Sequence, residues 1–296
     1  MRMPAAYGSR TISVDGISIS TTDNWAGAIT SLTWDNQEFV LNRGAGASWQ
    51  SAAQFGATTP QQGECYNPTE MGSVGPWTRS SSQLIATGGY ENEIITLSRM
   101  AFWYPPGHIP PGLCNNTLTS SEMTVDNSNF RHWKKVTIEE GQVINYETQF
   151  LDVPVHVGFN QFEAVTGYIP LNKNPKDFTR VYRWINGVLT SYYFEEISQT
   201  PYPVILVSQD GTTAMGIRTY PVSPGVGYYD DKVPYIVVSK KPDPNLTIQE
   251  SIKWAAVYRR DCRNKAGCTL GAGAYSFNTR IVIGTLAHVI SKMPTL

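Results

Sequence analysis

Two carboxylates, Glu64 and Glu70, are the chemically forceful groups of Gln50 to Gly72, a stretch otherwise rich in Gln, Gly, Thr and Pro. The segment reads as a long loop, and loops beyond about 12–15 residues inside a compact domain are usually functional or disordered. Cys65, Tyr66 and Asn67, with Trp49 before and Trp77 beyond, argue for order, because disordered linkers rarely hold such residues. A carboxyl beside Tyr66 and Trp77 would be raised in pKa by its surroundings, which suits Glu70 to general-acid work with Glu64 as partner. The structural alternative is a loop carboxylate satisfied by backbone N–H groups.

Other candidates lie further along. Glu163 sits among Phe159, Phe162, Ala164 and Val165, where an acid is either exposed by alternation or buried with a purpose. His156 follows Pro154-Val155 in an apolar strand and could move protons near neutral pH. His132, between Arg131 and Trp133, is chemically as able; His108 in a proline loop and His288 near the end are weaker. A lone strand histidine is more often structural. No G-x-G-x-x-G, P-loop, H-E-x-x-H or G-x-S-x-G pattern occurs, which disfavours nucleotide, flavin, zinc-protease and nucleophile-elbow chemistry.

The elements that must position these groups are short strands. Ile12–Val14 and Ile17–Ile19 flank Asp15-Gly16, and Ile29–Trp34 and Glu38–Leu41 flank Asp35-Asn36. Lys135–Ile138 and Val143–Phe150 enclose Glu140-Gly141, Val181–Trp184 and Val188–Phe194 enclose Asn186-Gly187, and Val204–Ser208 and Ala214–Thr219 enclose Asp210-Gly211. Such turn pairs between β-rich runs are the strongest short-range hairpin signals. Helix is expected over Leu286 to Met293, stopped by Pro294, and as a single turn at Glu195-Glu196. Many strands with few helices predict an all-β antiparallel sandwich of two large sheets, one domain over residues 1–296.

Composition sets the class. Charged residues are only 16% against 41% hydrophobic, with 25 Gly, 19 Pro, 16 Tyr and 8 Trp, a turn-rich make-up that suits an exported protein. The formal net charge of −1 argues against nucleic-acid partners, which demand a Lys/Arg excess. No apolar run reaches about 18 residues, so no membrane span is expected. The start, MRMPAAYGSR, lacks an apolar signal core, so the chain is cytosolic or a mature form; sequons at Asn115 and Asn245 fit the secreted or periplasmic choice. Cys262 and Cys268 could close a small loop and Cys65 and Cys114 could pair, but four cysteines allow three connectivities. No C-x-x-C spacing and no His beside a Cys pair suggests a metal site.

Asn24-Trp25-Ala26-Gly27-Ala28-Ile29 through Asp35-Asn36-Gln37-Glu38-Phe39 resembles the first hairpin of galactose-mutarotase-like proteins, and Ile281 to Leu286 resembles their closing strand. Asn67-Pro68-Thr69-Glu70 and Phe162 to Tyr168 resemble motifs of uncharacterised secreted bacterial proteins of that fold. The resemblance implies a large super-sandwich that handles carbohydrates, with a Glu and a His facing a sugar as base and acid and no cofactor. By position these are Glu70 or Glu163 and His156. Trp49, Trp77, Trp103, Tyr104, Trp133, Tyr168 and Trp184 could offer flat faces to sugar C–H groups. Arg79, Arg131 and Lys134 could bind an acidic sugar, and Gln50 and Asn67 complete the substrate-binding set. Gly44-Ala45-Gly46-Ala47 departs from the charged or imidazole residues of relatives at this place. The expected function is cofactor-free Glu/His acid–base chemistry on a sugar or oligosaccharide, with glycosidic cleavage preferred. The alternatives are an aldose-epimerase-type isomerase and a non-catalytic carbohydrate-binding module.

Overall fold

Asp15-Gly16 and Asp35-Asn36 take positive φ at both positions (48° and 81°; 48° and 59°). That backbone has the twist that lets two strands continue as a hairpin. These turns join β1 (Arg10–Val14) to β2 (Ile17–Thr21), and β3 (Ile29–Trp34) to β4 (Gln37–Glu38), forming a four-stranded sheet in sequence order. The computed structural model describes residues 8–41, 47–56, 67–72, 80–102, 130–153, 155, 158–171, 177–192, 197–220, 234–242, 250–262 and 265–296. Glu64, Cys65, Trp77, Arg79, Trp103, Tyr104, His108, Cys114, His156, Glu195-Glu196, Gly44 to Gly46 and both sequons lie outside them.

The chain continues through β5 (Gln50–Gly56), β6 (Pro68–Thr69), β7 (Gln83–Gly88), β8 (Glu93–Arg99) and β9 (Ala101–Phe102). Three long strands follow, β10 (Arg131–Glu139), β11 (Val143–Val153) and β12 (Phe159–Leu171). A hairpin turning at Asn186-Gly187 joins β13 (Phe178–Ile185) to β14 (Val188–Ser191), before β15 (Ile197–Thr200), β16 (Val204–Ser208) and β17 (Ala214–Thr219). Last come β18 (Tyr235–Pro242), β19 (Glu250–Asp261), β20 (Gly273–Gly284) and one helix, α1 (Leu286–Lys292). One large sheet runs β14-β13-β16-β17-β20-β11-β10-β8-β7 and the other β15-β18-β19-β12-β5-β6-β9. The result is the all-β antiparallel sandwich expected. Two details differ: Gln50 to Gly56 is a strand rather than the start of a loop, and Gln37–Glu38 and Val188–Ser191 end earlier than their apolar runs suggest.

Alternation builds the core. In β10 every second residue is buried, so His132, Lys134, Val136 and Ile138 face inward while Arg131, Trp133, Lys135 and Thr137 face out. Phe55, Phe150, Phe162 and Phe277 interlock from both large sheets, with ring centroids 4.9 to 5.9 Å apart. Trp49 meets Trp254 edge-on at 4.9 Å. Gly167 lies beneath this pair: a Cβ there would stand 2.6 Å from Trp254 Nε1 and 2.7 Å from Trp49. Helix α1, capped by the Thr285 hydroxyl accepting from the His288 N–H, seals a second apolar cluster of Val143, Ile205, Val207, Ala214, Val282 and Val289. Cys262 and Cys268 form a disulfide. Among the described residues no helix is long and apolar enough to cross a membrane.

Candidate functional site

The polar candidates separate onto three surfaces. Glu70 follows β6 directly, and its N–H donates to the Ser51 carbonyl of β5 at 2.9 Å. Its carboxylate therefore points between the large sheets and is fully buried. Lys134 Nζ, also fully buried, donates to Glu70 Oε1 at 2.5 Å and to the Gly27 carbonyl at 2.6 Å. The Ser51 N–H donates to Glu70 Oε2 at 3.1 Å. His132 Nδ1 stands 4.0 Å from Oε1 without a hydrogen bond, while its Nε2 meets the Thr148 hydroxyl. The Tyr146 hydroxyl bonds the Ser51 hydroxyl at 3.1 Å. Gly27 reaches Lys134 from a backbone with φ +88°, and a Cβ there would come within 2.9 Å of Thr96, so this approach excludes a side chain.

Burial dominates the electrostatics of this cluster. It raises the Glu70 carboxyl against the opposing pull of Lys134 and lowers the Lys134 ammonium against the opposing pull of Glu70. Desolvation, helped by the Lys134 charge, holds the His132 imidazole well below its ordinary value, and desolvation followed by the Glu70 charge pushes the Tyr146 phenol well up. Glu70 was expected to line a groove. The structure instead seals it inside the sandwich, where the ion pair satisfies a carboxylate that no outside molecule touches.

The second surface is the outer face of the seven-stranded sheet. Phe162 belongs to the core, so its neighbours Gln161 and Glu163 project from the opposite face. Register places Gln161 directly beside Arg259 of β19 and Gln54 of β5, Glu163 beside Val257 and Ala52, and Tyr168 beside Lys253. A continuous polar ladder results. Arg259 donates to Gln161 Oε1 at 2.9 and 2.7 Å and to Gln199 at 3.0 Å. Gln161 Nε2 lies 3.3 Å from Gln54 Oε1 and 3.5 Å from Glu163 Oε1. Lys253 Nζ pairs with Glu163 at 3.2 Å and sits 5.8 Å over the Tyr168 ring. The Glu163 side chain is 10% exposed, that of Lys253 21%.

The third surface is the outer face of the nine-stranded sheet, on the far side of the sandwich. Arg131 lies there in an exposed pair with Asp152 at 2.5 Å, which holds the Asp152 carboxyl below its usual range. Trp133 lies on the same face. These two residues cannot share one bound sugar with Glu163 and Tyr168. Gln50 shares the outward parity of Gln54, and its Oε1 accepts from the Met71 N–H at 2.9 Å. Asn67 holds its own turn, accepting from the Thr69 hydroxyl at 3.1 Å. Trp49 is core, and Trp184 packs partly against the α1 cluster. Lys253, Arg259, Gln161 and Gln54 were missed from sequence. Their signal was parity: in ESIKWAAVYRRD, Ile252, Trp254 and Tyr258 claim the core and leave Lys253 and Arg259 outside.

The architecture is that of the galactose-mutarotase-like super-sandwich. Similar solved structures include a candidate aldose 1-epimerase from Klebsiella pneumoniae, with 6% identity over 97% of this chain and 82% of that chain and a TM-score of 0.53. Galactose 1-epimerase from Lactobacillus acidophilus is 8% identical over 93% of both chains, with a TM-score of 0.50. No family model and no curated protein matches the chain.

Proposed function

We propose that the protein interconverts the anomers of a sugar on the outer face of the seven-stranded sheet, with Glu163 taking and returning the hydroxyl proton. The observation that carries this is the ladder Gln199–Arg259–Gln161–Gln54, joined through Gln161 to Glu163 and Lys253. It sets amide and cationic donors around one largely buried carboxylate, beside the aromatic face of Tyr168. Hydroxyl-rich ligands suit such a surface, because amides and a guanidinium offer donors in fixed directions. The names of the two neighbours, a galactose 1-epimerase and a candidate aldose 1-epimerase, support the same chemistry.

Glycosidic cleavage calls for two carboxylates about 5–5.5 Å or 6.5–9.5 Å apart. The pairing of Glu64 with Glu70 expected for it loses its support once Glu70 is sealed inside the sandwich. Anomer exchange needs one base and one acid, and His156, outside the described residues, remains the sequence's candidate for the acid. A second reading, sugar binding without turnover, is favoured by the ladder itself, whose members already satisfy one another as a preset binding surface would.

Freshly dissolved single-anomer aldoses, followed by polarimetry or NMR, separate these readings. Accelerated equilibration of at least one aldose is expected, and Glu163→Gln should slow it by about 100-fold or more while leaving binding within a few fold, the usual scale of a general base. Binding without acceleration supports the second reading. An absence of both across the panel overturns each.

A further inference from the structure

The buried Glu70–Lys134 contact is unused by that chemistry, and its geometry is that of a reaction partnership rather than of a surface ion pair. We propose that Lys134 and Glu70 condense into an intramolecular amide that joins β10 of one large sheet to the end of β6 in the other. Lys134 Nζ lies 2.5 Å from Glu70 Oε1. It is therefore within one C–O bond length more of the carboxyl carbon, close to the ~3–3.5 Å of a near-attack pair. Both side chains are fully buried, so water competes poorly and both groups are driven toward the uncharged amine and acid that react.

The surrounding groups fit each step. The Gly27 carbonyl, 2.6 Å from Nζ, orients the amine. The Ser51 N–H, 3.1 Å from Oε2, sits where negative charge would grow as the carboxyl carbon becomes tetrahedral. His132 supplies the transfer group: Thr148 can direct its hydroxyl to the Trp133 carbonyl and accept from Nε2, which leaves the Nδ1 lone pair unpartnered, buried and 4.0 Å from Oε1. In the step, Nζ forms the bond to the Glu70 carboxyl carbon and the bond from that carbon to Oε1 breaks. The acid proton resides on Oε1; one amine proton passes through His132 to the same oxygen, which departs as water carrying both. The second amine proton stays as the amide N–H, and Oε2 becomes the amide oxygen. No oxidant, reductant or co-reactant takes part.

Mass spectrometry of the full-length wild-type chain, reduced and denatured, tests this without any variant. The expected result is an intact mass below that of the reduced chain by one water, with a tryptic peptide in which the Glu70 segment is joined to the Lys134 segment and cleavage after Lys134 is lost. An intact mass equal to that of the reduced chain, with separate Glu70 and Lys134 peptides from protein shown to be folded by circular dichroism, overturns the proposal. His132→Gln, also checked for folding, should lower the linked fraction at a fixed time after synthesis by about 10-fold or more, toward the low end of a lost proton-transfer group. Full linkage at the wild-type rate in that variant overturns the role of His132.

Discussion

Glu70, Lys134 and His132 show how far burial changes what a side chain is for. A carboxylate in a polar loop would be a reagent; the same carboxylate between two sheets is a joint. Glu70→Ala leaves the Lys134 ammonium facing only the Gly27 carbonyl, and removing one partner of a buried pair typically costs about 3–5 kcal/mol. Urea unfolding should show that loss, and the double variant Glu70→Leu with Lys134→Met should recover the part that comes from the stranded charge, though not the part that a Glu70–Lys134 amide would contribute. His132 adds a pH dependence with a definite sign. Its folded imidazole is held well below the ordinary 6.5 by burial and then by Lys134, so its contribution to stability is complete above the unfolded value. As pH falls through about 6.5, the unfolded chain takes up a proton that the folded chain refuses, and stability drops by about 1.4 kcal/mol per pH unit from this group. His132→Gln should flatten that slope in unfolding experiments run between about pH 7.5 and about pH 5.5.

At the scale of elements, much was legible and the rest had a physical reason for being hidden. The hairpins could be read because Asp15-Gly16, Asp35-Asn36 and Asn186-Gly187 need a left-handed backbone that few other residues take cheaply, and the structure gives all six residues positive φ. Strand parity is also carried by the sequence: the RHWKKVTIE alternation puts His132 and Lys134 with Val136 and Ile138, and so separates Lys134 from Arg131, with which it is grouped above as a sugar-binding candidate. Unreadable was which strands neighbour each other across long separations, since Gln161 meets Arg259 only because β12 pairs with β19. Gly167 tests the packing of these elements. Its position beneath Trp49 and Trp254 leaves no room for a Cβ, so Gly167→Ala should cost about 1–3 kcal/mol, the scale of overpacking, and lower the midpoint of thermal unfolding. A covalent Glu70–Lys134 joint spans 64 residues of chain, and on a loop-closure argument would remove about 4 kcal/mol of unfolded-state entropy.

For the whole molecule, the sandwich divides the sequence's single imagined groove into an interior joint and two outer faces. The fold was within reach of sequence because hairpin turns and alternation are local. The site was not, because a carboxylate's environment is made by strands distant in sequence: Glu163 acquires Lys253 and, through Gln161, Arg259, about ninety residues on, whereas Glu70 acquires Lys134 from the opposite sheet. Among the described residues, the face of the seven-stranded sheet joins the 10%-exposed carboxylate of Glu163 to a ladder of donors. On the other face Arg131–Asp152 is an exposed pair and Lys135–Glu147 and Arg280–Glu139 are more open to solvent than Glu163, so their energetic weight is small. The most direct test compares the two faces in one assay, the rate of aldose anomer exchange measured by NMR for Glu163→Gln and for the double variant Arg131→Ala with Trp133→Ala. Loss of about 100-fold or more in the first, with the second within about twofold of wild type, is the predicted result. Loss in the second with full activity in the first would contradict it.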